Sequence, residues 1–485
     1  MAATDEYEAT IGLEVHVQLK TRTKLYCGCA NEFGAPPNTL TCPVCLGLPG
    51  SLPVINGEAL RLGFRAARAV KCTIPDVVSF DRKNYFYPDL PKGFQISQHF
   101  GALGFDGEVE YWSDEGFGVI AVERVHLEED TAKAVHAEAY VRPGETLLDF
   151  NRAGIPLMEV VSRPVIESAT QARRYIVALR QTLVEAGVSD CDLEKGAFRI
   201  DTNISVKRKD RPTLGEQVEI KNLNSLKAME AALEYEFERQ LEILKGGGEV
   251  KRVTLHYDDA TGETVPTRIK ELRADYRYFG EPDLPPVRVP SSYIDDLGEG
   301  IGPGPGARMR ELLERYGATV AEAEMLAFTR GYYDFLKAAA AAYGAGPRAV
   351  VNWLVGDVTR ELKERGEQLS DTPLKPGALA ALLRLLDAGD VNVPAAREVL
   401  AELMSSGGEP AAILEAKGLA QISDAADIEK LVREAAAANP KAVADIKSGK
   451  EKARRALVGY VMKKTAGRAN PKVVNELIAK VLAGP

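Results

Sequence analysis

Four stretches of the chain alternate strictly between apolar and polar residues. In residues 10–20, Ile11, Leu13, Val15, Val17 and Leu19 occupy one parity and Gly12, Glu14, His16 and Gln18 the other. In 198–207, Phe198, Ile200, Ile204 and Val206 alternate with Arg199, Asp201, Asn203 and Ser205. In 217–221, Val218 and Ile220 alternate with Gln217, Glu219 and Lys221; in 124–129, Val125 and Leu127 alternate with Arg124, His126 and Glu128, and Glu129 follows. A period of two marks half-buried strands. Their simplest assembly is an antiparallel sheet with one apolar side on helices and one open polar side. Two helices are predicted among them. One runs from about Ala169 to Ala186 and stops at Gly187; the other runs from about Ser225 to Lys245, capped by Asn224 or Ser225 and stopped by Gly246–Gly248.

The Gly/Pro run from Gly298 to Gly306 reads as a linker. Beyond it the chain becomes Ala/Leu/Glu/Arg-rich with helical periodicity to about residue 403, and Ser405–Gly408 suggests a second boundary. The expected organisation is α+β: a mixed strand-and-helix domain over 1–294, an all-α domain over 295–406 and an all-α tail over 407–485.

If the four strands share one sheet, Glu14, His16, Glu128 or Glu129, Asp201 and Glu219 gather on its polar surface. Carboxylates crowded together raise one another's pKa and cost stability. A divalent cation removes that cost, and Mg²⁺ takes oxygen ligands while retaining waters and substrate phosphates. His16 is an unusual ligand for Mg²⁺ and suits Mn²⁺ equally well. The plain alternative is that these residues face water, as on most amphipathic strands.

Cys27 and Cys29, then Cys42 and Cys45, form two close pairs twelve residues apart. Two such pairs on separate turns suit a structural Zn²⁺ site; four buried free thiols are the alternative. Cys72 and Cys191 stand alone and read as core residues.

The 485-residue chain has 45% hydrophobic and 27% charged residues, as ordinary globular proteins do. It has no apolar run long enough for a membrane span, and its polar, acidic start does not resemble a signal peptide, so a cytoplasmic location is expected. The net charge of −9 is unevenly spread: residues 441–485 carry 11 Lys/Arg and 3 Asp/Glu, a net +8, leaving −17 elsewhere. An acidic body with a basic tail is a candidate for phosphate contact. There is no GxxxxGK[ST] loop, HExxH or GxSxG motif, so any nucleotide is held without a P-loop.

At these residues the sequence resembles the B subunit of the bacterial and organellar Glu-tRNA(Gln)/Asp-tRNA(Asn) amidotransferase. The stretches that carry the resemblance are 8–18 (EATIGLEVHVQ), 38–50 (NTLTCPVCLGLPG), 83–93 (KNYFYPDLPKG), 95–98 (QISQ), 149–157 (DFNRAGIPL), 218–225 (VEIKNLNS), 275–279 (DYRYF), 417–424 (KGLAQISD) and 467–471 (GRANP). The resemblance implies a glutamine-synthetase-like antiparallel-sheet cradle with a zinc module, then a helical domain and a tail domain that contacts tRNA. It implies ATP-dependent phosphorylation of the side-chain carboxylate of Glu or Asp on a mischarged tRNA, followed by amidation. The metal residues of the family fall on Glu14, His16, Glu128, Glu129, Asp201 and Glu219. Two departures stand out. Gly280 replaces the first Pro of the usual YRYFPEPD run, which suggests a looser loop, and Gly302–Gly306 replaces an LPELP-type run at the junction.

Arg152, Arg199, Asn203 and Lys221 are candidates for holding ATP or the substrate carboxylate; salt bridges to neighbouring carboxylates are the alternative for the three cations. Tyr276–Phe279 either shape the site or anchor the end of the domain. No glutaminase nucleophile motif is present, so ammonia is expected from a partner. The resemblance implies an amidase A subunit and a small C subunit, with a mischarging synthetase as a further associate, and Lys83 is a candidate for lining the ammonia exit. Two other classes remain open: a tRNA-binding scaffold without chemistry, and a free-standing amide ligase acting on a small amino acid.

Overall fold

The computed structural model of the protein describes residues 6–113, 116–135, 141–142, 144–223, 225–258, 260–269, 276–421, 425–448, 450–465 and 469–483. Contacts group the chain into two compact units, 1–307 and 308–485.

The alternating segments all lie in one eight-stranded sheet. Its strands are β1 (Tyr7–Gln18), β4 (Gly104–Ser113), β5 (Gly116–Glu129), β6 (Pro156–Ser162), β7 (Phe198–Arg208), β8 (Val218–Leu223), β9 (Val253–Asp258) and β10 (Glu263–Ile269), in the order β10-β9-β8-β7-β1-β6-β5-β4. A second, three-stranded sheet holds β2 (Asp81–Asn84), β3 (Phe94–Ser97) and β11 (Phe279–Gly280). The large sheet is antiparallel except for β8 and β9, which run parallel. That corrects the all-antiparallel expectation. The cause is the helix between the two strands, because a parallel pair needs a long crossover.

The apolar parity of β1 is sealed: Ile11, Leu13, Val15 and Val17 are 0–1% exposed. Together with Val125, Leu127, Val160, Ile200, Ile204 and Ile220 they form one core with three helices, α1 (Gly57–Ala69), α2 (Ala169–Glu185) and α3 (Leu226–Lys245). Each fully buried Val or Leu contributes about 1.5–3 kcal/mol, so a one-residue register slip in β1 would forfeit several such terms. Ser168 and Ser225 cap α2 and α3 through Gln171 N and Ala228 N, at about 1 kcal/mol each. Both helices thus start and stop within a residue or two of the predicted positions; Asn224, the other cap candidate, lies outside the described residues.

Two sequence expectations change. The run 298–306 is not a linker throughout, because a helix spans Pro305–Glu314; Pro is tolerated in a first helical turn, where its missing N–H has no partner to lose. Gly280 does not sit in a loose loop. It pairs with Asp81 in β2, Glu281 N donates to Phe80 O at 2.7 Å, and Arg82 grips Glu281 through two hydrogen bonds of 2.8 and 2.9 Å. Asp275, the first residue of that motif, lies outside the described residues.

The named elements of the second unit, among its described residues, are all helices. A helix over Val393–Ser406 ends at Gly407 (φ +69°) and the chain resumes helix at Pro410. Ile428, Val432, Leu457, Val461, Val474 and Ile478 form a separate small core in the tail. No helix among the described residues is long and apolar enough to cross a membrane.

Candidate active site and metal centre

Register places the polar residues opposite one another. Across β1 and β7, Glu14 faces Asp201, His16 faces Arg199 and Gly12 faces Asn203. Across β1 and β6, His16 faces Glu159, and across β5 and β6, His126 faces Glu159. A row of His16, Glu159 and His126 therefore crosses three strands. His16 Nε2 lies 3.7 Å from Glu128 and 3.6 Å from Glu159, and His126 Nε2 lies 3.2 Å from Glu159. Ligand atoms of His16, Glu128 and Glu159 all fall within 4.8 Å of one another.

Beside this trio sits a second group. Asn203 Nδ2 donates to Glu14 Oε1 at 3.1 Å. Lys221 Nζ donates to Asp201 at 2.9 Å and lies 3.0 Å from Glu219. Thr254 Oγ1 donates to the other Glu219 oxygen at 2.9 Å. Glu14, Asp201, Asn203, Glu219 and Lys221 line a cavity of about 290 Å³ with Lys83, which adjoins a cavity of about 740 Å³ lined by Glu128, Asp130 and Arg199.

The electrostatics are those of crowded acids. Burial, and then the carboxylates of Glu159 and Asp201, push the Glu14 carboxyl above its usual range. Burial also works against ionised Glu159, but His126 and His16 outweigh it and hold that carboxyl well below the usual range. Lys221 is lifted above an ordinary lysine by Asp201 and Glu219 in spite of its burial, and Lys83 is lifted by Glu128 in the same way. His16, Glu128 and Glu159 offer one imidazole nitrogen and two carboxylates converging on one point, a chemically suitable set for Mg²⁺ or Mn²⁺.

The structure separates some expected members from this face. Glu129 follows Glu128 in an extended strand, so its side chain emerges on the opposite side. There it forms an ion pair with Lys92 and accepts from Ile96 N at 2.9 Å. It lines a different cavity of about 200 Å³, with Tyr26, Cys45 and Glu281. Arg152 is committed to the backbone carbonyls of Thr131 (2.9 Å) and Ala132 (2.7 Å). Arg199 remains at the site through Asp130 at 3.0 Å. Lys83 sits over the rings of Tyr276 (4.9 Å) and Tyr85 (5.9 Å).

Sequence reasoning missed Glu159 and did not single out His126. β6 reads PLMEVVS, apolar on both parities, so it gives no alternation. Its signal is a lone carboxylate inside a central apolar strand, where an acid is rare without a partner.

The four cysteines of the N-terminal segment also converge. Their sulfur atoms lie within 4.8 Å of one another, with Cys42 and Cys45 Sγ 3.9 Å apart. A tetrahedron with Zn–S bonds of about 2.3 Å has edges of roughly 3.8 Å. The Cys27 thiol hydrogen-bonds Cys45, which brings Cys45 down to about 4, while Cys29 is pushed up by burial to about 11. Lys24, fully buried, points Nζ at Cys45 Sγ (3.6 Å) and Phe150 O (3.2 Å). A buried ammonium beside four thiols fits a thiolate cluster carrying excess negative charge. Cys72 and Cys191 are buried in the core.

The open face of the sheet thus collects acids and histidines beside Lys83, Arg199 and Lys221. The profile of the GatB/GatE catalytic domain matches residues 9–295, and that of the GatB domain matches residues 334–482. The B subunit of the aspartyl/glutamyl-tRNA(Asn/Gln) amidotransferase of Carboxydothermus hydrogenoformans is 45% identical over 478 residues, 99% of each chain. Its counterparts in Persephonella marina (42%, 98% of this chain and 100% of that one) and Thermotoga maritima (43%, 99% of each) match equally fully. The chain belongs to the family of aspartyl/glutamyl-tRNA(Asn/Gln) amidotransferase B subunits.

Proposed function

We propose that the open face of the large sheet activates the side-chain carboxylate of Glu or Asp mischarged on tRNA(Gln) or tRNA(Asn), using ATP. The observation that carries this reading is the convergence of His16, Glu128 and Glu159 beside Glu14, Asp201 and Glu219. A carboxylate does not react usefully with ammonia until one of its oxygens becomes a leaving group. Transfer of the terminal phosphoryl group of ATP to that oxygen gives an acyl phosphate and ADP. Ammonia then attacks the acyl carbon, phosphate leaves with the former carboxylate oxygen, and the amide remains with one proton lost. Divalent cations held by His16, Glu128 and Glu159, and by Glu14, Asp201 and Glu219, would neutralise charge on the transferring group.

The chain's own residues position the rest. Lys221 stays charged between Asp201 and Glu219 and orients both. Arg199, held by Asp130, presents its guanidinium toward the larger cavity and steadies the acceptor carboxylate. Lys83, over the Tyr276 ring, borders both cavities and marks where ammonia arrives. Ammonia comes from an amidase A subunit clamped by a small C subunit, with a mischarging synthetase supplying the tRNA, all in the cytoplasm. The modules divide this work as 1–294 for catalysis, 295–406 as a helical spacer and 407–485 for tRNA, with Zn²⁺ on Cys27, Cys29, Cys42 and Cys45 as a structural clamp. The test is ATP-dependent amidation of each mischarged tRNA from free ammonia by the assembled enzyme. Asp201→Ala should abolish it and spare glutamine hydrolysis. Near-normal amidation by that variant would move the chemistry elsewhere. The scaffold alternative predicts no ATP hydrolysis stimulated by charged tRNA.

A further inference from the structure

The stretch between the two cysteine pairs is tied to the chain just before β6. Asn38 N donates to Asp149 Oδ1 at 3.0 Å, Asn38 Nδ2 donates to Leu148 O at 3.0 Å, and Phe150 N donates to Asn38 Oδ1 at 2.7 Å. Asn151 answers from the other side: its Oδ1 accepts from Leu40 N and its Nδ2 donates to Pro36 O, both at 2.7 Å. Each side-chain amide thus places both of its polar atoms on the backbone of the facing segment. Asn38 does so from a left-handed backbone, φ +61°, which few residues other than glycine and asparagine adopt readily. Lys24 Nζ and Leu25 N hold the same segment through Phe150 O at 3.2 Å and Gly154 O at 2.8 Å.

The held segment in turn fixes the residue that follows β5. Gly154 N donates to Asp130 O and Asp130 N donates to Ile155 O, each at 2.9 Å. Arg152 reaches the next two carbonyls, those of Thr131 and Ala132. The backbone of buried Asp130 is therefore clipped on both sides. Its carboxylate takes Arg199 at 3.0 Å and Gln18 Nε2 at 3.2 Å, and Arg199 lines the 740 Å³ cavity. Where the guanidinium points follows from where Asp130 is held.

We propose that Asn38 and Asn151 are positioning residues for the acceptor carboxylate. They set the segment before β6, that segment sets Asp130, and Asp130 aims Arg199 into the acceptor cavity. This rests on the role of Arg199 in the activation reading above. The loop of the cysteine module then acts on the acceptor end of the site and leaves the carboxylates of β1, β7 and β8 undisturbed.

Asn38→Gly removes both side-chain bonds and keeps a backbone that glycine adopts freely; Asn151→Ala removes the other two. The assay is amidation by the assembled enzyme from free ammonia at saturating ATP. Each variant should lower kcat/KM for mischarged tRNA about tenfold or more, since small displacements set up far from the chemistry can cost up to about 100-fold. KM for ATP and zinc content should match the parent. Arg199→Ala, in which Asp130 keeps Gln18 and Arg152 beside it, should lower kcat/KM at least as far. Adding Asn38→Gly to it should cost nothing further, because residues that act through one group are not additive. Losses that multiply in the double variant overturn the inference. So does kcat/KM within about twofold of the parent in either asparagine variant, which is the scatter expected of uncoupled sites. Loss of zinc, or a KM for ATP that rises in step, overturns it too, because the loop then serves the fold of the module and not the acceptor. If Arg199→Ala alone amidates like the parent, the reading of Arg199 in the activation scheme fails and the inference falls with it; a strong Arg199 effect with an independent Asn38 effect sinks the inference alone.

Discussion

Replacing Glu159 by Gln tests the reading of the site at the residue that alternation did not reveal. The side chain is buried, its Oε2 3.2 Å from His126 Nε2 and 3.6 Å from His16 Nε2. Gln keeps the volume, and its carbonyl oxygen still accepts from an imidazole, while the negative charge is removed and one acceptor oxygen becomes an NH2 donor. A hydrogen bond to a charged group contributes about 1.5–3 kcal/mol and a neutral one about 0.5–1.5; the difference is on the order of 1 kcal/mol. Relief of the Glu159–Glu14 repulsion offsets part of that. The metal-free variant should therefore melt only a few degrees lower, at about 2–4 °C per kcal/mol for a domain of this order. A unit with the usual reserve of about 5–15 kcal/mol stays folded at 25 °C. The catalytic effect should be much larger. Loss of one electrostatic stabiliser of a transferring group typically costs on the order of 10²–10³ in rate.

The assay for Glu159→Gln is ATP-dependent amidation from free ammonia, with glutamine hydrolysis by the assembled enzyme as the control for folding and assembly. The pH dependence adds an independent check. The Glu159 carboxyl is held below its ordinary value of 4.5 in the fold. The stability it contributes is therefore present above that value and is lost as pH falls through the depressed one. The gap in melting temperature between parent and variant should close on acidification. Amidation within about threefold of the parent, a change well below the two to three orders expected, would refute the assignment of Glu159 to the phosphoryl-transfer centre.

Chelator-washed protein should retain about one zinc per chain, and Cys45→Ser should lose it; folded protein with four titratable thiols and no zinc contradicts the site. Arg455→Ala combined with Lys463→Ala and Lys464→Ala, all exposed on one tail helix, should weaken tRNA binding and flatten its salt dependence by about 0.7–0.9 for each phosphate no longer neutralised, without affecting glutamine hydrolysis. An unchanged salt slope would remove tRNA binding from that helix. Glu322 closes a capping box with Thr319 and is paired twice to Arg348, at 2.6 and 2.9 Å, and the Arg348 bonds take its carboxyl down to about 2. Glu322→Gln keeps the capping box but loses the ion pair, and should destabilise the helical unit by about 0.2–1 kcal/mol at neutral pH, and because the folded value is depressed this difference should vanish as pH falls from 4.5 toward 2; a gap independent of pH argues against the pair.

What the sequence made legible follows from the locality of each signal. Alternation in β1 and β7 is a property of consecutive residues, so it correctly assigned Glu14, His16, Asp201 and Asn203 to one face. The cap at Ser225 is local too, as is the pairing of Cys27 and Cys29 with Cys42 and Cys45. Glu129 was misplaced because the resemblance supplies a residue without its direction. Parity alone would have sent it to the other face from Glu128, where the Lys92 pair holds it.

Strand order is the part that local pattern does not contain. β6 lies between β1 and β5 although it follows β5 in the chain. Buried centrally, it needed no polar parity of its own, and its Leu157 and Val161 stand on the same face as Glu159. That apolar setting gives Glu159 its role. A carboxylate flanked along its own strand by Leu157 and Val161 has no partner there, so its partners lie across the sheet, His16 on one side and His126 on the other, with Lys83 also favouring its charged form. The site thus depends on three strands meeting in one register. A two-residue shift between β6 and one neighbour would keep every side chain on its face while separating Glu159 from that neighbour's histidine. The geometry of the His16–Glu159–His126 row is consequently more sensitive to pairing register than the apolar core behind it, where Val160 and Met158 would still find neighbours of similar size.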